Sequence, residues 1–145
     1  SAEQGVPTPV ALQPHYNLAF RKEYEDGLRK IAERFSLSVF PYFSLASGLL
    51  TGKYDLSEPL SGDRAAMVEP YVNEGTKNLL ATLRRVAGEL GVEPASVAIA
   101  WLLAQPTVTA PIASARTVSQ LPALLEGTVL ALTPSQLDEL NKASS

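Results

Sequence analysis

The chain has 145 residues, 46% of them hydrophobic and 19% charged, a balance that indicates a folded globular protein rather than a disordered one. Its formal net charge of -3 gives no general attraction to nucleic acid or to an anionic membrane, so neither is expected as a partner. With no cysteine and one histidine, His15, the chain excludes a disulfide scaffold, a thiolate metal site and a multi-histidine metal site.

Neither a membrane span nor a signal peptide is predicted. No stretch approaches about 18 consecutive apolar residues, and the first residues lack the basic and apolar regions of a secretory signal. The absence of cysteine fits a cytoplasmic location, which we expect. Because the chain does not begin with Met, we also expect it to be part of a larger protein.

The first predicted unit is a strand, a helix and a second strand. The apolar run at residues 9–13 is continuous rather than alternating, which favours a strand buried on both faces. A helix follows, with apolar residues at helical spacing: Tyr24, Leu28, Ile31, Ala32 and Phe35. The second strand covers residues 38–42, and Pro41 should lie near its end because proline lacks a backbone donor.

A long irregular region, residues 43–72, separates this unit from the next. Loops of this length inside a compact domain are usually functional or mobile. A strong helix is predicted from about Asn73, with Gly91 as its stop. Pro94 suits the first turn of another helix, on which Trp101 is expected in the core. A third strand is predicted at residues 108–112.

Two further helices are predicted near the C-terminus. Thr117 with Gln120, and Thr133 with Gln136, both fit a capping box. Pro122 would disturb the first of these helices early. Strands that alternate with helices predict parallel βαβ units in an α/β fold. We find no internal repeat and predict a single domain over residues 1–145.

Three segments together resemble the aldo-keto reductases, and most of all the branch of bacterial reductases and potassium-channel β subunits. They are residues 13–17 (QPHYN), 42–54 (YFSLASGLLTGKY) and 111–121 (PIASARTVSQL). The resemblance implies a partial (β/α)8 TIM barrel, made of the last three strands with their helices. It also implies hydride transfer between NADP(H) and an aldehyde or ketone.

The resemblance assigns no catalytic residue to this chain. The family's Asp, Tyr, Lys and His come from earlier strands, whose motifs are not present here. We therefore expect the isolated chain to be inactive as a reductase. Half a barrel would also expose two strand edges and its inner face, so we expect either the missing N-terminal part or a second copy as partner. His15 is expected to be structural rather than catalytic.

Two residues at strand ends are candidates for contact with the nicotinamide. Gln13 offers both a donor and an acceptor, and Tyr42 offers a flat ring for stacking. The residues by themselves favour a core glutamine and a core tyrosine. The resemblance implies that Gln13 pairs with the carboxamide and that Tyr42 stacks on the ring.

The glycine-bearing loop after the second strand is the candidate for the cofactor diphosphate. Gly48 and Gly52 allow close approach of the backbone, and Lys53 adds a positive charge. Read alone, the segment favours an ordinary solvated loop with a surface lysine. The resemblance implies that the loop binds the cofactor through Phe43, Ser44, Leu45, Ala46, Ser47, Gly48 and Lys53.

The turn before the first C-terminal helix is the candidate for the 2′-phosphate. Ser114, Arg116 and Gln120 precede a helix N-terminus, where unpaired N–H groups favour anions. The planar fork of Arg116 suits a phosphate, which favours NADP over NAD. Ala123 and Leu124 replace the family's acidic and amide pair, which weakens the expected adenine contacts. Arg64 in the long loop can also reach a phosphate.

Three functional hypotheses follow. The chain is part of a working reductase, a noncatalytic nucleotide-binding or regulatory module, or a ligand-free structural fragment that forms an oligomer. Binding and turnover of NADPH distinguish the three.

Overall fold

The computed structural model describes residues 5, 7–62 and 64–144. A small parallel sheet begins with two strands, β1 (Ala11–Leu12) and β2 (Ser38–Val39). Ala11 is paired with Ser38, and Leu12 with Val39. The helix between them makes this a βαβ unit, as predicted from the alternation of elements.

A third extended segment, residues 108–112, runs parallel to β2 on the side away from β1. Val108 forms a bridge with Val39. Thr109 N donates to Val39 O at 2.8 Å, and Ile112 N donates to Pro41 O at 2.8 Å. The three predicted strands therefore lie side by side in parallel, although their regularly paired stretches are shorter than predicted.

Short helices surround the sheet. The α-helices are α1 (Arg29–Phe35), α2 (Ala65–Val68), α3 (Thr76–Leu90), α4 (Pro94–Leu103), α5 (Leu121–Val129) and α6 (Pro134–Ala143). A π-helical stretch, Tyr24–Leu28, leads into α1. The predicted irregular region contains α2 and two 3-10 turns, Ala46–Thr51 and Glu69–Tyr71.

The apolar stripe predicted for the first helix is only partly correct. Tyr24 and Ala32 are buried, but Ile31 and Phe35 are 48% and 57% exposed. The π-helical stretch explains the difference, because its i to i+5 bonding shifts the phase of the residues that follow. A strict 3.6-residue period therefore assigns the second half of this helix to the wrong face.

Helices α3 and α4 supply much of the core and were predicted well. The apolar face of α3, from Leu79 to Ala87, is buried, and Gly91 ends the helix in a left-handed conformation at φ 68°. Pro94 opens α4. Residues 95–102 of α4 are all buried, and Trp101 donates from Nε1 to Asn141 Oδ1 at 3.0 Å.

Of the two predicted capping boxes, only the second is present. Thr133 accepts from Gln136 N at 3.3 Å, and Gln136 Oε1 accepts from Thr133 N at 3.0 Å. At the first, Thr117 contacts the Ser119 hydroxyl instead. The helix starts later, at Leu121, so Pro122 lies in its first turn and does no harm there.

The prediction that β1 is buried on both faces is wrong. Val10 is 77% exposed, and Ala11 and Gln13 are also exposed, whereas Leu12 packs against the core. Among the described residues β1 pairs only with β2, so it lies at an edge of the small sheet and its side chains are covered less than those of β2. Across the described residues, no single helix combines the length and apolar character of a membrane span. Helices α3 and α4 together do so by length and composition alone, with a bend of 97° between them.

Candidate functional site

The carboxyl ends of β1 and β2 bring the two predicted nicotinamide contacts to one face of the sheet. His15 forms a bridge with Tyr42, and Tyr42 N donates to Pro14 O at 2.9 Å. Gln13 precedes His15 by two residues, so the register places Gln13, His15 and Tyr42 on the same face. Gln13 is exposed and Tyr42 is half-buried, so neither is the core residue that its type alone favoured.

His15 lies at the centre of an aromatic cluster. Its ring stacks on Phe20 with centroids 4.1 Å apart and on Tyr42 at 5.2 Å. Its Nε2 lies 2.8 Å from the Tyr71 hydroxyl. Burial lowers the pKa of His15 below 6.5, against an opposing effect of Glu23. These contacts give the ring a packing or hydrogen-bond partner on several sides.

The glycine-bearing loop is anchored by two side chains at its start. The Ser44 hydroxyl lies 2.8 Å from Ile112 O and 3.2 Å from Pro41 O. Asn17, which is fully buried, donates from Nδ2 to Phe43 O at 2.9 Å. Ser44 is thus engaged with backbone, and Asn17 is a residue that the sequence interpretation did not identify. Its position at the end of the QPHYN segment was the signal that the sequence offered.

The loop itself has an unusual backbone. Phe43, Ala46 and Ser47 have positive φ values of 53°, 48° and 57°, and Gly48 has 102°. Non-glycine residues seldom adopt this region, and such conformations cluster at ligand sites. Ala46, Ser47 and Gly48 are buried and Leu45 is half-buried, so little of this stretch is accessible to a ligand in this conformation. Phe43 and Lys53 are exposed.

An open cavity of about 370 Å³ lies beside this loop. We call it the cation cavity, because three of its lining residues are positively charged. Its lining consists of Lys53, Tyr54, Ser61, Gly62, Arg64 and Arg116. The cavity brings together Lys53 and Arg116, which lie 63 positions apart in the sequence. Arg64, for which the sequence predicted no definite position, also lines this cavity.

The turn that carries Arg116 is held by a side chain. Gln120 Oε1 accepts from Arg116 N at 2.9 Å, so the described contact of Gln120 is with backbone. Ser114 and Gln120 are exposed and do not line the cation cavity. Apart from Phe43, Ser114 and Gln120, the predicted residues lie in three places. These are the strand-end face formed by Gln13 and Tyr42 beside His15, the largely buried loop at residues 44–48, and the cation cavity with Lys53 and Arg116.

Comparisons with known proteins agree with the family resemblance of the three segments. The model of the aldo/keto reductase family matches residues 1–145. A probable voltage-gated potassium channel subunit beta of Oryza sativa subsp. japonica is 33% identical over 141 residues, which cover 91% of this chain and 43% of that protein. An uncharacterized oxidoreductase of Mycobacterium bovis is 38% identical over 141 residues, covering 93% of this chain and 42% of that protein.

The Escherichia coli protein tas is 29% identical over 138 residues, covering 93% of this chain and 40% of that protein. The chain spans about two fifths of the length of these relatives. The family implies a (β/α)8 barrel, and the small parallel sheet with its helices agrees with part of one. Since the family model covers the chain from end to end, this protein belongs to the aldo/keto reductase family.

Proposed function

We propose that this chain is the NADP(H)-binding portion of an aldo-keto reductase that reduces an aldehyde or ketone. The observation that carries the proposal is the convergence of Lys53, Arg64 and Arg116 on one cavity of about 370 Å³. Lys53 and Arg64 come from the long region between β2 and α3, and Arg116 comes from the turn before α5. Three positive charges that line one open cavity create a local potential that favours an anionic ligand.

The residues of the cation cavity fit a phosphate-rich ligand. Lys53 provides a compact charge for a diphosphate, and each arginine provides a fork that can bind phosphate oxygens in pairs. The Ser61 hydroxyl adds a neutral donor. A 2′-phosphate brings further negative charge to a site of this kind, which is why we propose NADP(H) rather than NAD(H). Arg116 is our candidate for that contact.

The strand-end face fits the nicotinamide end of the same ligand. Tyr42 already stacks on His15 at 5.2 Å, which restricts the orientation of its ring. A ring held in this way loses less freedom when a second flat group stacks on it. Gln13, exposed two residues before His15, can both donate to and accept from a carboxamide.

We also propose that the chain alone does not turn over a carbonyl substrate. When bound, NADPH supplies a hydride, but the carbonyl oxygen must also receive a proton. Proton donation by a positioned side chain contributes about 10²–10⁴-fold to such rates. Tyr16 and Tyr71 are buried, and burial raises the pKa of both. Both are held by contacts within the fold, so neither is available as the family's proton donor.

Cofactor binding can be tested by titrating NADPH fluorescence with the wild-type chain, Lys53→Gln and Arg116→Gln. Loss of one charge-assisted contact should raise the dissociation constant about 5- to 50-fold. Arg116→Gln should weaken NADPH far more than NADH. Lys30→Gln, an exposed charge change on α1, is the matched control. Equal affinities for Lys53→Gln and Lys30→Gln would overturn the assignment, as would no NADPH binding by the wild-type chain.

A noncatalytic nucleotide-binding module is the second candidate. It is favoured by the likeness to proteins named as potassium channel β subunits. NADPH binding by the longer parent protein without aldehyde reduction would support this module, whereas ordinary turnover by the parent would support the reductase. Concentration-dependent self-association without NADPH binding would instead support the structural fragment, since Val118, Leu125 and Val129 are exposed apolar residues.

A further inference from the structure

We infer that Arg84 is a positioning residue of the cation cavity, and that it acts by holding the backbone on both sides of Lys53. The inference rests on the proposed phosphate site and adds a residue that does not line the cavity. Arg84 comes from α3, more than 30 positions after the loop. Neither the resemblance nor the local sequence pattern identifies it.

The contact that carries the inference is a pair of hydrogen bonds from one guanidinium nitrogen. Arg84 Nη2 donates to Gly52 O at 3.2 Å and to Tyr54 O at 2.5 Å. These carbonyls belong to the residues immediately before and after Lys53. Since both oxygens accept from the same nitrogen, Arg84 holds the peptide plane that directly precedes Lys53 and the one that follows Tyr54. The neighbouring Leu83 is fully buried, which anchors this part of α3.

The second contact on this backbone comes from α4. Gly52 has φ 81°, and a Cβ built on it would lie 2.8 Å from Pro94 Cγ. Only glycine combines that backbone conformation with that distance. Gly52 therefore rests against α4 while Arg84 holds its carbonyl from α3. The residue that precedes Lys53 is fixed by two core helices, although it belongs to a surface loop.

A fixed backbone matters for Lys53 because its side chain is long and exposed. Restraining such a side chain costs rotamer entropy. Its Nζ lies 4.9 Å from the Tyr54 ring centroid and 3.6 Å from the position that a Gly48 Cβ would occupy. These contacts direct the ammonium group across the loop, and they depend on the peptide planes that Arg84 holds.

The neighbouring Arg85 provides a matched control. Both arginines are exposed on the same turn of α3, so either change to glutamine removes one charge from nearly the same place. Arg85 pairs with Glu89 and Glu139 and contacts no part of the loop in the described chain. An effect of general charge appears in both variants, whereas an effect through Lys53 appears only in Arg84→Gln.

The experiment measures NADPH dissociation constants for Arg84→Gln, Arg85→Gln, Lys53→Gln and the Lys53→Gln/Arg84→Gln double variant. We expect Arg84→Gln to raise the dissociation constant about three- to tenfold, and Arg85→Gln less than about twofold. In the Lys53→Gln background, Arg84→Gln should have almost no further effect. A full Arg84 effect in that background would overturn the inference, and so would equal effects of Arg84→Gln and Arg85→Gln.

A second readout separates failure of the inference from failure of the proposed function. Backbone ¹⁵N relaxation without ligand should show Lys53 more mobile in Arg84→Gln and unchanged in Arg85→Gln, with circular dichroism confirming the fold of each variant. If the wild-type chain does not bind NADPH, the proposed function fails and this mobility alone decides the role of Arg84. Unchanged mobility at Lys53 in Arg84→Gln would overturn the positioning role.

Discussion

The imidazole Nε2 of His15 lies 2.8 Å from the hydroxyl oxygen of Tyr71. This contact joins the end of β1 to the last 3-10 turn of the long region between β2 and α3. Because the His15 ring also stacks on Tyr42, the same residue connects the strand-end face to the segment that carries Arg64. His15 thus contacts both segments. It is also the one histidine in the sequence.

Stability should depend on pH through His15. Burial holds the pKa of His15 below 6.5 in the folded protein, against the opposing carboxylate of Glu23. The unfolded chain then binds more protons than the folded one as pH falls below 6.5, so the free energy of unfolding decreases. Urea unfolding of the wild-type chain at pH 5.5 and 7.5 should show this decrease.

His15→Gln should remove most of that pH dependence, since no other histidine titrates in this range. Far-UV circular dichroism at both pH values shows whether the variant keeps its fold. If the slope between pH 5.5 and 7.5 persists in a folded His15→Gln, another group is responsible and the assigned pKa shift is wrong.

Tyr71→Phe should destabilise the fold by about 0.5–1.5 kcal/mol, because it removes a hydrogen bond and leaves His15 Nε2 without this partner. Tyr54→Phe is a suitable control, since Tyr54 is similarly buried and its hydroxyl makes no hydrogen bond to a described residue. Urea midpoints at constant m-value measure both changes. A Tyr71→Phe midpoint equal to that of Tyr54→Phe would show that the contact with His15 contributes nothing measurable.

Glu25→Gln should cost about 1–3 kcal/mol of stability. Its carboxylate accepts from Tyr16 at 2.7 Å, from Arg21 at 3.0 and 3.1 Å and from Arg29 at 3.1 Å. Neutralising it leaves two half-buried guanidinium groups without their anion. The neighbouring exposed Asp26→Asn is the control, and thermal unfolding compares the two. Similar losses of stability in both variants would mean that the hydrogen bonds of Glu25 stabilise the fold no more than an exposed carboxylate does.

The same network predicts sensitivity to acid. Burial by itself raises the pKa of Glu25, but hydrogen bonds from Arg21 and Tyr16 outweigh it and hold the pKa below 4.5. A carboxylate with a depressed pKa stabilises the fold above its unfolded value and loses this effect as pH falls through its folded value. Wild type should therefore lose more stability than Glu25→Gln between pH 5 and 3.

Two glycines in helices should respond oppositely to alanine. A Cβ on Gly127 would lie 2.7 Å from Ser96 O and 2.8 Å from Ile99 Cβ, because α5 crosses α4 at this point. Gly127→Ala should cost about 1–3 kcal/mol. Gly88 on α3 has open space at its Cβ, so Gly88→Ala should stabilise by about 0.5–1 kcal/mol. Chemical denaturation that shows both variants stabilised would refute the close crossing.

Local patterns predicted the elements whose signals are contained in a few neighbouring residues. Gly91 ended α3 and Pro94 opened α4 as expected, since both act through their own backbone geometry. The Thr133 capping box formed for the same reason. The pattern failed at Thr117, where the Gln120 side chain accepts from Arg116 N instead. Both hydrogen bonds are compatible with that local sequence, so the local pattern does not decide between them.

The candidate site was predictable residue by residue but not as an arrangement. The resemblance indicated Lys53 and Arg116 separately, and only the fold places them around one cavity with Arg64. The contact of Arg84 with the carbonyls beside Lys53 could not be read from the chain, because it joins residues 30 and 32 positions apart. The spacing of residues along a helix predicts which face of the helix a side chain lies on. It does not predict which loop that side chain contacts.

By itself the sequence determined the family, the order of strands and helices and the residue types that suit a phosphate ligand. Those properties depend on neighbouring residues, where backbone preference and hydrophobic period act directly. Tertiary structure alone decided which cations converge, how exposed β1 is and why Gly52 and Gly127 must be glycine. Each of these depends on distances between segments that are separated in the sequence, and close packing fixes such distances only once the chain has folded.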